Sequence, residues 1–144
     1  MNEKGVTLIE LIGIIVVLAL IFLIAVPQVT KIVNIQKEKA FKVNVDGIIK
    51  AIKTDIATYE RSAVLLKYKY ENSKLSLVDS NDDSLIHPIK TNGVLSGEGV
   101  IYVDRSLDMK YVIYDVKYCA IKDFSSEITY TLKTDVLCEL PIGP

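Results

Sequence analysis

The chain has 144 residues, 50% of them hydrophobic, and its 17 Lys plus Arg against 18 Asp plus Glu leave a formal net charge of −1. That balance lacks the basic excess of a nucleic-acid-binding domain. With 1 histidine and 2 cysteines, there is also little material for a metal centre or a His-based catalytic dyad.

The first element is an apolar run, Val6–Val29, preceded by Met1-Asn-Glu-Lys-Gly5. At 1.5 Å per residue its roughly 24 residues span about 36 Å, enough to cross a hydrocarbon core about 30 Å thick. It is too long for a secretory h-region and has no small-x-small cleavage site at its far end, so it is expected to stay with the protein as an anchor. Glu10 interrupts the run. A carboxylate inside a membrane helix costs about 2.5–3.5 kcal/mol on insertion scales, less near an interface, so it requires a partner and marks a functional position.

Gly5 followed by Val6-Thr7-Leu8-Ile9-Glu10 resembles the class III prepilin leader of type IV pilins and type II secretion pseudopilins. Pro27 matches a second landmark of that family, a proline towards the end of its apolar helix. The resemblance implies cleavage after Gly5 by a dedicated aspartic peptidase, the prepilin peptidase, and N-methylation of the new terminus at Val6. It also implies pairing of Glu10 with the terminal amine of an adjacent subunit. A buried carboxylate and ammonium then relieve each other's desolvation. The further partners implied are an assembly ATPase, a polytopic membrane platform and other pilins. Val6 stands where phenylalanine is usual, which bears on methylation more than on cleavage. Ala19 stands where many members carry glycine. The leader holds Lys4 offset by Glu3, and Lys31, Lys37, Lys39 and Lys42 beyond the helix oppose the positive-inside preference, so topology rests on the resemblance. The short leader and modest size are similar to Gram-positive pilins, competence pseudopilins among them.

Helical patterning continues past the membrane. Phe41, Val45, Ile48, Ile52, Ile56 and Tyr59 form one stripe, widened by Val43, Ile49 and Ala51. A helix from about Val6 to about Arg61 is expected, kinked at Pro27, which lacks a backbone donor and crowds the preceding turn. The lysines of Lys31–Lys53 read as a solvated face or as partners for acidic groups on adjacent subunits. Without Lys4, Glu3 and Glu10, residues 31–144 are charge-balanced, so direct nucleic-acid binding is not expected.

The C-terminal half reads as strands at Gly99–Val103, Tyr111–Tyr118 and Glu127–Leu132, with a turn at Asp104–Asp108. Leu65–Tyr70 is either an extra strand or the frayed helix end, and Asp79–Ser84 and Asn92-Gly93 are loops. The fold class expected is α+β and pilin-like. One long N-terminal α-helix, transmembrane half plus amphipathic half, packs on a small antiparallel β-sheet. The organisation is leader 1–5, transmembrane and assembly helix 6–29, and extracytoplasmic head 30–144.

Cys119 and Cys138 fall in the part placed outside the cytoplasm, where a disulfide is expected; two reduced cysteines are the alternative. Many pilins similarly staple a C-terminal loop. Asp79, Asn81 and Asp83 share the oxygen spacing that opens calcium loops, but Ser84 and Lys90 replace the glycine and glutamate that complete one, so a solvated acidic turn is the reading. His87 precedes Pro88 in a loop, and no phosphate loop, nucleophile elbow or HExxH pattern occurs. The chain is expected to be a substrate of an enzyme rather than an enzyme, and to need no cofactor. The functional reading is a structural subunit polymerised through its N-terminal helix into a pilus or pseudopilus. The alternatives are a minor pilin of a secretion or DNA-uptake machine and a monomeric membrane-anchored binding module.

Overall fold

The computed structural model describes residues 7–61, 65–134 and 138–139. A helix, α1 (Leu8–Thr58), is followed by seven strands that form one sheet. The chain divides into two compact units, Met1–Lys37 and Glu38–Pro144.

In the first unit, Thr7 caps the helix. Leu11 N donates to the Thr7 carbonyl at 3.1 Å, and the helix then runs through Pro27 without a break. Pro27 has no N–H to offer the Leu23 carbonyl. Every described residue from Thr7 to Lys37 is exposed except Ala25, which is half-buried. Leu11 is 50% exposed and Phe22 61%, so the apolar side chains of this unit are not packed within it. The segment is long and apolar enough to cross a membrane, and such a helix near the N-terminus suits an anchor or a signal sequence.

In the second unit, the helix stripe lies on the sheet as its spacing predicts. Phe41, Val45, Ile48, Ile52 and Ile56 are buried, and Ile49 and Ala51 pack beside them. Val43 is 69% exposed and Tyr59 56% exposed, so neither belongs to the core face. Val43 falls two residues from both Phe41 and Val45, which turns it well away from the stripe in a 3.6-residue helix. Tyr59 lies just beyond the helix end. There the Arg61 N–H reaches back to the Ile56 carbonyl at 3.2 Å, and Glu60 takes a left-handed φ of 48°. This is a Schellman-type stop with glutamate in the position usually held by glycine.

The strands are β1 (Leu65–Glu71), β2 (Lys74–Val78), β3 (Leu85–Ile89), β4 (Gly99–Asp104), β5 (Met109–Tyr114), β6 (Tyr118–Lys122) and β7 (Thr129–Leu132). Their spatial order is β3-β2-β1-β4-β5-β6-β7, and each neighbouring pair is antiparallel. The segment Leu65–Tyr70 is therefore a strand and not a frayed helix end. The expected strand Tyr111–Tyr118 is corrected to two strands, β5 and β6. The chain reverses between them, with Asp115 N donating to the Tyr118 carbonyl at 2.8 Å and Val116 N to Asp115 Oδ1 at 2.7 Å.

Alternation sets the two faces. Tyr68, Tyr70, Leu75, Leu77, Ile101, Val103, Tyr111 and Ile113 join the helix stripe in the main core. On the other face, Val112 and Cys119 pack with Cys138, flanked by Tyr114 and Ile121. Gly47 allows the helix close to the sheet side, because a Cβ there would lie 2.9 Å from Gly93 N.

Candidate functional site

Glu10 has its partner on its own helix. Its Oε2 accepts from Thr7 N at 2.9 Å and from Thr7 Oγ1 at 2.8 Å, while Glu10 N lies 3.4 Å from Thr7 Oγ1. This reciprocal pair is a capping box, which satisfies backbone donors that the first turn would otherwise leave open. The T-x-x-E pattern that announces it is present in the sequence, overlapping the prepilin-like motif. Gly5 and Val6, the expected processing and methylation positions, lie outside the described residues.

Cys119 and Cys138 form a disulfide, with Cα atoms 6.2 Å apart. It fastens Cys138 to β6 on the face of the sheet opposite the helix.

The acidic loop between β2 and β3 is folded by its own hydrogen bonds. Asp79 Oδ1 accepts from Asn81 N at 2.8 Å, and Asp82 Oδ1 from Ser84 N at 2.9 Å. Asp83 turns to Lys67, 2.5 Å away. That pairing raises the Lys67 pKa. Asp83 is thus turned to an ammonium, and among the described residues no group of three or more His, Cys, Asp or Glu is placed to hold a metal.

A cluster not anticipated from the sequence lies where the helix ends on the sheet. Asp55 is 5% exposed and is the one charged residue among the buried side chains described. Its Oδ2 accepts from Arg61 Nε at 2.7 Å and from Tyr68 Oη at 3.1 Å, and its Oδ1 faces Arg61 Nη2 at 3.3 Å. The Asp55 bond raises the Arg61 pKa, and burial, followed by the Asp55 charge, pushes the Tyr68 phenol up. His87 Nε2 stands 3.9 Å from Asp55 Oδ1, too far for a hydrogen bond. The His87 ring meets Tyr59 edge-on at 5.0 Å, and Arg61 lies 4.9 Å over the same tyrosine. A signal for this cluster was available, since Asp55 sits beside Ile52 and Ile56 on an otherwise apolar stripe. A carboxylate there demands a cation.

Beside the cluster, between the helix and β3, opens a cleft of about 580 Å³. Lys50, Thr54, Asp55, His87 and Lys90 line it.

A further charge network fixes the β4–β5 turn. Asp104 Oδ1 accepts from Ser106 N at 2.8 Å and Asp108 N at 2.9 Å. Asp108 Oδ1 accepts from Lys122 Nζ at 2.6 Å and Met109 N at 2.8 Å, and its Oδ2 from Ser125 N. With these donors the Asp108 pKa is pushed down to about 2, Lys122 contributing most.

The architecture is pilin-like: a long, N-terminally apolar helix packed on an antiparallel sheet, with a C-terminal disulfide. No protein-family model, no curated protein and no solved structure matches the chain.

Proposed function

We propose that the chain is a prepilin, a structural subunit of a type IV pilus or of a type II secretion-like pseudopilus. The observation that carries this reading is the helix Leu8–Thr58. Its N-terminal half is membrane-length and uncovered, it bears one carboxylate at its start, and its C-terminal half packs on an antiparallel sheet. A plain anchor needs the apolar length but not the carboxylate.

In this reading the precursor sits in the cytoplasmic membrane with Met1–Gly5 inside and the head outside. Prepilin peptidase cuts after Gly5, and the amine of Val6 becomes the terminus. In the bilayer Thr7 holds Glu10 through the capping box, so the carboxylate is never without donors. During assembly, Glu10 of one subunit engages the Val6 amine of its neighbour. Two charges buried together escape the penalty each would meet alone. Apolar faces of adjacent helices replace lipid. The energy for extraction comes from an assembly ATPase acting through a membrane platform. The chain catalyses nothing itself and takes no cofactor. In an assembled filament it lies at the cell surface.

The test is mass spectrometry of the N-terminus in sheared filaments beside the membrane fraction. Val6-initiated chain dominating the filaments supports a major subunit. Processed chain held in the membrane, or only traced in filaments, assigns it to the minor pilins or pseudopilins. An intact Met1 terminus would leave a membrane-anchored binding module and end the prepilin reading.

A further inference from the structure

The seam between the helix and edge strand β3 is left open by the sequence. On the side of the buried stripe that faces β3, the helix carries Gly47, Ala51, Thr54 and Thr58. Long aliphatic stems ordinarily cover such a seam; these short side chains leave the cleft of about 580 Å³.

Its charge is one-sided. Lys50 projects from the helix and Lys90 follows β3, with the His87 imidazole lining the cleft from the strand itself. Among the described residues neither lysine forms an ion pair. The one carboxylate lining the cleft, Asp55, is already held by Arg61 at 2.7 Å. A concave site with cations on both walls concentrates positive potential, which selects an anionic occupant.

The matching anion is on the same chain. The loop before β3 exposes Asp82 and half-exposes Asp79; Asp79 Oδ1 accepts from Asn81 N, and Asp82 is held by Ser84 through both its backbone N–H and its side chain. An ionised carboxylate has about four acceptor sites, so both keep capacity for a further cation. The loop precedes β3 and Lys90 follows it. Five residues of strand span about 17 Å, so the loop does not reach the lysine end of its own cleft.

We propose that the acidic loop Asp79–Ser84 of one copy docks in the Lys50–His87–Lys90 cleft of a second copy. Cleft and loop are different surfaces of one subunit, so the contact is heterologous and every subunit offers one of each. Such contacts propagate into open helical arrays instead of closing as dimers. The inference rests on the filament reading and adds to it a head-to-head contact separate from Glu10.

The experiment has two arms. In the first, full-length chain labelled with nitrogen-15 is mixed with unlabelled chain in lipid vesicles. A carbodiimide then joins lysines to contacting carboxylates. Mixed-isotope peptides linking Lys50 or Lys90 to Asp79 or Asp82 are expected, falling about tenfold from 0.05 to 1 M salt. Absence of these peptides overturns the contact. In the second arm, cells express Lys50→Glu with Lys90→Glu, Asp79→Lys with Asp82→Lys, or all four changes together. Each pair is expected to lower the yield of sheared filaments about tenfold, and the fourfold variant to recover it, because reversed cleft and reversed loop again match. Equal yields in all variants overturn the contact. Absence of filaments from wild-type cells refutes the filament reading, while the vesicle cross-links still decide the contact.

Discussion

Arg61 Nε donates to Asp55 Oδ2 across 2.7 Å. The side chain of Asp55 is 3% exposed and that of Arg61 is 19% exposed. The bond bridges the helix stop: Asp55 lies in the last turn of α1 and Arg61 just beyond it. Removing the cation strands a buried carboxylate. Arg61→Met is therefore expected to destabilise the second unit by about 3 kcal/mol, within the range for breaking a buried pair. Urea unfolding followed by circular dichroism measures it. Asp55→Leu combined with Arg61→Met and Tyr68→Phe, which leaves neither donor without its acceptor, is expected to recover most of the loss; a triple variant as unstable as Arg61→Met alone refutes this account.

Two tyrosines on the inner face of the sheet should respond oppositely to loss of a hydroxyl. Tyr68 Oη donates to Asp55, whereas Tyr111 Oη is buried with no hydrogen-bond partner among the described residues. Tyr68→Phe is expected to cost about 1.5–3 kcal/mol, since the acceptor is charged. Tyr111→Phe is expected to be neutral or stabilising, because removing an unsatisfied hydroxyl removes its desolvation penalty. Thermal melts of the two variants side by side decide the matter.

The Cys119–Cys138 disulfide closes a loop with a sequence separation of 19. Removing both sulfurs as Cys119→Ser with Cys138→Ser is expected to cost about 3 kcal/mol on the chain-entropy view. The wild-type midpoint should fall towards that of the variant when a reductant is added. A wild-type melt unaffected by complete reduction contradicts the prediction.

Acid should loosen the β4–β5 corner. The Asp108 pKa is about 2 in the folded chain against an ordinary 3.8. A group with a depressed folded pKa contributes stability that is full above its unfolded value and is lost as pH falls through the folded one. Stability should thus decline from about pH 5 towards pH 2. Asp108→Asn should show a shallower decline there, with the difference between the two proteins largely lost by pH 2 and vanishing below it. Denaturant midpoints at pH 7, 4 and 2 test the sign.

Glu10→Ala tests the proposed prepilin reading, in which Glu10 pairs with a neighbouring subunit. The variant is expected to accumulate in the membrane at wild-type level, since its loss makes the helix more apolar. Filament yield should fall at least about tenfold, the factor corresponding to ~1.4 kcal/mol per contact. Thr7→Val is the control for the capping box: it removes the hydroxyl but keeps the carboxylate, and a much smaller loss of filaments is expected. Equal losses would assign Glu10 a local capping role alone.

The helix was legible because a strict 4-3-4-4 spacing of large apolar residues, Phe41 to Ile56, has few alternative readings. The β5–β6 reversal was not. Asp115, Val116 and Lys117 include neither glycine nor proline and sit within a tyrosine- and valine-rich run, so propensity favoured one long strand. Strand β3 was hidden by Pro88, which argues against a central strand and agrees with the edge position found. The Asp55 cluster and the cleft needed tertiary structure, because Asp55, Arg61, Tyr68 and His87 meet only when β1 and β3 lie across the helix. Gly47 shows the same limit from the other side. As a helix interior it reads as a weakness, and only the approach of Gly93 explains it.

The strand order β3-β2-β1-β4-β5-β6-β7 places two local meanders back to back. Within each, a strand pairs with its chain neighbour, so most of the sheet zips through short loops. The β1–β4 ladder is the exception, joining Leu65–Glu71 to Gly99–Asp104 across the β2–β3 segment. Closing that loop is the slow, non-local event of the sheet's assembly. Cys119 lies on the far side of that ladder, within the β4–β7 half and close in sequence to Cys138. The disulfide therefore spans only the C-terminal meander, and both of its cysteines lie on one side of the β1–β4 ladder.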